Sequence, residues 1–391
     1  MYNLINEEIR KIKPSPIREM SNKAALYPNV INLSVGQPDF FTPNHVKTAA
    51  KDAIDNNLTG YTSNAGILEL REAASNFFDL KYNVKYDPET EVIVTNGATQ
   101  ALDITFRTIL QEGCEVILPA PVYVGYEPLI RLCGAIPIHV DTSSNDFVIT
   151  AEMIKKHLTS KTRCIVLASP SNPTGSIIDE HELKNIAELI KDYNIFILSD
   201  EIYSELTYYN KHTSIASYEC IKEKVIVING LSKSHSMTGW RIGFIFSPQY
   251  LSNEILKAQQ FSLTCASSIS QYAGLEALTV GINDADNMKK EYIKRLDFVY
   301  NELVSMGLEV VKPKGAFYIF PSIKKFNISS QEFAEMLIEK EQVAVVPGNA
   351  FSSYGEGYIR ISYAASMEEL EEAMKRMRRF IKELERKVIR K

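Results

Sequence analysis

The 391-residue sequence predicts an α/β fold, with a mostly parallel, seven-stranded sheet in a large domain and a smaller α+β domain towards the C-terminal end. Three observations predict it. Short apolar, β-branched runs alternate with longer segments of helical period from about residue 90 to 280, the pattern of βαβ units. Beyond a long helical stretch the pattern changes to strands in pairs, then to strand and helix. A hydrophobic content of 45% without low-complexity tracts is enough to bury a large core.

The expected strands of the sheet are Val92–Thr95, Val116–Pro119, Ile136–Val140, Cys164–Ala168, Ile195–Ser199, Val225–Asn229 and Ile242–Ser247, with Asp179–Tyr193 the clearest intervening helix. A helix over Ala285–Met306 leads into paired strands at Leu308–Val311 and Ala316–Phe320. No Pro/Gly/Ser linker separates the two patterns, so the boundary is placed in that helix. This gives an arm with part of the small domain over 1–45, a large domain over 46–285 and a small domain over 286–391. From Met374 to the end, Met377, Phe380, Ile381, Leu384 and Val388 recur at helical spacing among Lys and Arg. The pattern fits a domain-capping helix with a solvated face better than one lying on a membrane.

Composition excludes several partners. The formal net charge is -5 with both signs spread along the chain, which leaves no footprint for nucleic acid or an anionic membrane. No apolar run of transmembrane length occurs, and the N-terminal residues have no apolar signal core or cleavage site, so a soluble cytoplasmic protein is expected. The five cysteines are widely spaced without a Cys-x-x-Cys pair, which fits reduced thiols and no metal site. Small-molecule substrates remain.

The chemistry gathers where expected strands end. VIVINGLSKSHSMTGWRIGF sets Lys233 in a Ser/Gly loop after one strand and Arg241 just before the next. A lysine amine reacts with a carbonyl only when uncharged, and neighbouring cations with exclusion of water favour that state. VIVTNGATQAL reads strand, glycine turn, helix, so Gly97, Ala98 and Thr99 offer amides to an anion. Its spacing is that of neither a dinucleotide fingerprint nor a P-loop. PAPVYVGYEP holds Tyr123 in a restrained loop, where its ring could lie against a planar ligand. ASPSNPTG carries Asn172, and FILSDEIY delivers Asp200 from an apolar strand with Tyr203 three residues on; a buried carboxylate there needs a partner such as a cationic ring nitrogen. His235 is read as structural rather than as a proton carrier.

In this order SVGQPDF, YTSNAG, PAPVYVGY, SNPTG, SDEIY, SKSHSMTGWRIG and YIRIS resemble the class I aminotransferases of pyridoxal phosphate (PLP) fold type I, over nearly the whole chain. The resemblance implies pyridoxal 5'-phosphate as cofactor, with Lys233 carrying it as a Schiff base and then shuttling the proton of the exchange. Asp200 would keep the ring nitrogen protonated, Tyr203 and Asn172 would hydrogen-bond the ring hydroxyl oxygen, and Tyr123 would stack on the ring. Ala98, Thr99 and Arg241 match phosphate-binding positions, and Tyr61 matches one that reaches the phosphate of the neighbouring subunit, which implies a homodimer with active sites at its interface. Gly230 stands where the family often has a hydroxyl ligand, a place that Ser232 or Ser234 could fill. Arg360 would clamp the substrate α-carboxylate with a bidentate fork, Gly36 would add a backbone contact to it, and Arg18 would lie over the site on the N-terminal arm.

QPDFFTP, LTCASSISQ, KGAFYIFPSIK and YGEGYIRIS are most similar to the branch of the family that transfers an amino group between glutamate and the keto counterpart of N-acetyl-L,L-diaminopimelate in lysine biosynthesis. An aspartate, aromatic or broad-specificity aminotransferase would share the motifs, and so would a β-carbon–sulfur lyase of the same fold. A DNA-binding regulator built on an aminotransferase-like domain would need a helix-turn-helix region, for which the chain has no room.

Overall fold

Runs such as VIVT and VIVING, apolar on both faces, are suited to strands covered by helices on either side. In the computed structural model, which describes residues 4–389 with side chains through residue 386, they form one sheet. The strands of the chain are β1 Ile31–Asn32, β2 Val92–Thr95, β3 Glu115–Ala120, β4 Ile136–Asp141, β5 Thr162–Ala168, β6 Phe196–Asp200, β7 Val225–Gly230, β8 Gly243–Phe246, β9 Tyr318–Ile319, β10 Val343–Ala344, β11 Val346–Pro347 and β12 Ile359–Ser362. Seven of them make the large sheet, in the order β2-β8-β7-β6-β5-β3-β4. Each expected strand of that sheet is present, its ends within two residues of those read from sequence.

Only β8 runs against the others, antiparallel to both β2 and β7. This reversal brings its first residue, Gly243, opposite Thr95 and Gly230 at the carboxyl ends of β2 and β7. The segment entering β8, with Arg241, therefore joins the edge where β5, β6 and β7 deliver their loops. Alternate residues feed two cores: Ile117, Ile165, Ile197 and Val227 face one side, and Val116, Val166, Leu198 and Ile226 the other.

The helix expected over Asp179–Tyr193 spans Glu180–Ile190, capped by the Asp179 side chain accepting from the Glu182 amide at 2.8 Å. A further core packs Leu296, Val299 and Leu303 of helix Ala285–Ser305 with Phe333 and Leu337 of helix Ser330–Glu341, and with β9 and β12. The chain's early segment shares it through Met20, Ala24 and Leu33. There β1 pairs in parallel with β10, Ile31 opposite Val343.

The expected strand at Leu308–Val311 is absent. That segment runs beside Ser322, whose amide donates to the Glu309 carbonyl at 2.8 Å, but one such bond does not make a ladder. The pairing near Ala316–Phe320 is confined to β9, against β12. The last helix, Met367–Ile389, starts earlier than expected and buries Met377, Phe380, Ile381 and Leu384 in this core, whereas Val388 lies outside the described side chains. Among the described residues no helix is long and apolar enough to cross a membrane.

Candidate active site

At the carboxyl edge of the sheet lies a cavity of about 570 Å³. Arg18, Gly36, Ala98, Thr99, Tyr123, Asn172, Asp200, Tyr203, Ser232, Lys233, Arg241 and Arg360 all line it, whereas the candidates Gly97, Ser234 and Tyr61 do not. Tyr61 is 91% exposed and stands outside it. Five strand-to-loop junctions, after β2, β3, β5, β6 and β7, supply most of the wall, and β12 supplies Arg360 from the other core.

One wall is built to accept an anion. Gly97 enters helix Ala98–Ile109 with φ +80°, and a Cβ at this position would lie 2.5 Å from Arg241 Nη2. Gly243 is confined in the same way, since its Cβ would meet the Gly97 carbonyl carbon at 2.6 Å and the Ala98 nitrogen at 2.7 Å. Two glycines thus let the helix end, with its free first amides, close against the Arg241 guanidinium, which is held by the Thr238 carbonyl at 2.9 Å. Gly230, where a hydroxyl ligand was expected, has no room for one. Its Cβ would meet the Ile242 carbonyl oxygen at 2.8 Å, because β7 and β8 approach closely there. Of the two possible substitutes, Ser232 lines the cavity while Ser234 bonds the His235 ring at 2.8 Å. His235 also contacts the Gly281 carbonyl at 3.0 Å and is buried away from the cavity.

Opposite, Asp200 ends β6 with 6% exposure. Burial raises its pKa, while hydrogen bonds from the Tyr126 hydroxyl at 2.6 Å and the Ile202 amide at 3.2 Å oppose the rise. The next residue, Glu201, points to the other face and is satisfied by Ser199, Ser214 and His212. The cavity therefore receives one carboxylate of the adjacent pair. Tyr123 is set by Gly125, at which a Cβ would strike its ring at 2.4 Å.

Lys233 Nζ donates to the Gly36 carbonyl at 2.6 Å. Burial, with Arg360 and Arg241 nearby, pushes its pKa down to about 8 against the opposite pull of Asp200. Arg360 is buried, donating to Asn172 Oδ1 at 3.0 Å and the Ser34 carbonyl at 2.5 Å. Its Nε has no partner, and it forms no ion pair among the described residues. A buried arginine with spare donors and no carboxylate is prepared for an anionic ligand. The sequence reading missed Tyr126 and Tyr318. Tyr126 lies in the PAPVYVGYEP motif itself, three residues past Tyr123, a spacing that places both at one helix entrance.

These groups fit pyridoxal 5'-phosphate. The glycine-lined anion cradle with Ala98, Thr99, Ser232 and Arg241 suits its phosphate, the buried Asp200 its ring nitrogen, and the depressed amine of Lys233 its aldehyde.

Residues 28–377 match the model of the family described as aminotransferase class I and II. The chain is 57% identical to a probable N-acetyl-LL-diaminopimelate aminotransferase of Bacillus subtilis, covering 97% of this chain and 96% of that one. It is 41% identical to an aspartate aminotransferase of Pyrococcus abyssi, covering 97% and 98%. The crystal structure of an aromatic aminotransferase from Pyrococcus horikoshii superposes with a TM-score of 0.89 at 41% identity, covering 93% of this chain and 99% of that one.

Proposed function

We propose a substrate and a set of residue roles for this chain, which belongs to the class I and II aminotransferases. It is a pyridoxal 5'-phosphate dependent aminotransferase of fold type I, acting on amino and keto acids. The amino group passes between glutamate and the keto counterpart of N-acetyl-LL-diaminopimelate, in lysine biosynthesis. The observation that carries this is the 57% identity, over nearly the full length of both chains, to the Bacillus subtilis relative of that name.

When bound, the cofactor supplies the carbonyl that takes up the amine and the ring that disperses the electron pair left at the substrate carbon. Ala98, Thr99, Ser232 and Arg241 hold its phosphate, and Tyr123 covers its ring. Asp200 keeps a proton on the ring nitrogen through charge, while Asn172 and Tyr203 donate towards the ring oxygen. Arg360 fixes the substrate α-carboxylate, assisted by Gly36, and so points the α C–H at Lys233. The lysine, with its proton affinity lowered by burial and two arginines, takes the α-proton at Nζ. Arg18, on helix Pro16–Ala24, is among the residues lining the cavity, which supports its role as the arm residue over the bound substrate.

The enzyme works as a cytoplasmic homodimer. Exposed and outside the lining of its own cavity, Tyr61 reaches the phosphate site of the second subunit.

A panel of amino donors with and without 2-oxoglutarate, including N-acetyl-LL-diaminopimelate, tests the reading. Transfer from the acetylated donor should exceed transfer from aspartate and the aromatic amino acids by at least about tenfold in kcat/KM. Preference for aspartate or an aromatic donor would reassign the substrate. Release of ammonia and pyruvate without a keto acid would point instead to carbon–sulfur lyase chemistry.

A further inference from the structure

Tyr318 has a place in this site that the roles above do not use. It lies on β9, is 1% exposed, and pairs with Ser362 one turn of the pleat from Arg360. Its hydroxyl is 2.8 Å from the Tyr203 hydroxyl, the rings meeting edge to face with centroids 5.8 Å apart. The hydroxyl also abuts Gly36, at which a Cβ would lie 2.6 Å from it. Below, the Arg360 guanidinium covers the Tyr318 ring at 4.4 Å. One side chain thus touches the residues assigned to the ring oxygen, to the α-carboxylate and to the backbone beside Lys233.

A phenol has one proton to give and lone pairs to receive. If Tyr203 gave its proton to Tyr318, the cavity would meet only lone pairs, which repel an oxygen acceptor. If Tyr318 gives its proton to Tyr203, the Tyr203 proton is free for the cavity. The bond it then makes is strengthened by the one it receives, by about 10–30%. The charged groups facing Tyr203 are Arg360, Asp200 and Lys233, the last at 5.8 Å over its ring. No hydrogen bond joins any of them to its hydroxyl among the described residues, so Tyr318 alone can order that proton.

We propose that Tyr318 is a positioning residue: its hydroxyl donates to Tyr203 and turns the Tyr203 proton towards the ring oxygen of the bound cofactor, while its ring is the platform on which Arg360 rests. This rests on the assignment of Tyr203 to that oxygen. Phenol and ring are separable, because Tyr318→Phe removes the first and keeps the second.

The test is a pH titration of the visible absorbance of the cofactor-loaded protein, with steady-state kinetics. Tyr203 stabilises negative charge on the ring oxygen and so lowers the pH at which the band changes. Tyr318→Phe should therefore raise the midpoint by roughly 0.3–1 pH unit, and should have no effect when Tyr203 is already Phe. Tyr318→Leu, which also removes the platform, should raise KM for the amino donor about tenfold or more, whereas Tyr318→Phe should leave it within about twofold. An unchanged or lowered midpoint, or an equal rise in the Tyr203→Phe background, overturns the hydroxyl role. Equal KM values for the Phe and Leu variants overturn the platform. Absence of a visible band in the wild-type protein would refute the cofactor roles instead, and is read separately.

Discussion

The Tyr126 hydroxyl donates to Asp200 Oδ2 at 2.6 Å, joining a helix after β3 to the end of β6 inside the sheet's carboxyl edge. Asp200 is buried, and burial alone favours its neutral form, so this phenol is the strongest protein group keeping it charged. Removing a hydrogen bond to a charged acceptor costs about 1.5–3 kcal/mol, or roughly one to two units in the titration of the acid. Tyr126→Phe should move the acid limb of the kcat/KM profile upward by about one pH unit or more, and lower kcat near neutrality. An unmoved limb would show that the cofactor's ring nitrogen, not Tyr126, sets the charge on Asp200.

Lys233 carries the central prediction. Wild-type protein loaded with pyridoxal 5'-phosphate should absorb visible light, and Lys233→Ala should abolish both the borohydride-fixed adduct and transamination. A colourless wild type sinks the assignment. Since the amine's pKa is about 8, uptake of cofactor by the apoprotein should accelerate about tenfold per pH unit up to that value and then level off.

The same lysine affects stability. Its folded pKa lies below the unfolded value of about 10.5. The folded apoprotein is thus penalised wherever the amine is charged in both states, and the penalty lifts as pH rises from about 8 to 10.5. Apoprotein of Lys233→Ala should accordingly melt above wild-type apoprotein at pH 7, by a few degrees. A lower Tm for the variant would contradict the burial cost.

Gly97 and Gly243 test the anion cradle. Alanine at Gly97 must displace Arg241 and adopt an unfavourable backbone, and alanine at Gly243 must push back the first amide of the helix. Either variant should weaken binding of pyridoxal 5'-phosphate at least about tenfold while changing binding of phosphate-free pyridoxal much less. Equal losses for the two ligands would place the phosphate elsewhere.

Arg360→Ala should raise KM for every amino donor by about 10²-fold or more with the cofactor retained, as expected when a charge-assisted, bidentate contact is removed. Arg360→Lys should recover only part of it, since an ammonium cannot copy the planar fork. Loss of cofactor in place of donor affinity would refute the assignment to the carboxylate.

Residues that meet because each follows its own strand were readable in sequence. Lys233, Asp200, Asn172 and Thr99 all sit just past apolar runs, and a parallel sheet brings such positions to one edge. Arg241 arrives through the reversal of β8, which the motif did not reveal. Tyr318 was harder, because its partner Tyr203 is 115 residues away and their contact depends on how one core docks on another. Its motif, GAFYIF, drew notice only for its likeness to one family branch. The exclusion of a hydroxyl at Gly230 depends on the approach of two backbones, a distance no residue pattern encodes. The misread strand at Leu308–Val311 shows the converse, a β-rich run that the topology leaves without a neighbour.

The early segment of the chain is sewn into the same fabric as Arg360. Its β1 lies on β10, the Leu33 amide donates to Ala344 and its carbonyl accepts from Ser362, and the Ser34 carbonyl receives Arg360 itself. Entrance and grip are therefore mechanically one part. Any displacement of that part would alter the width of the doorway and the aim of the arginine together, so selection for a bulkier substrate would have to act on both at once.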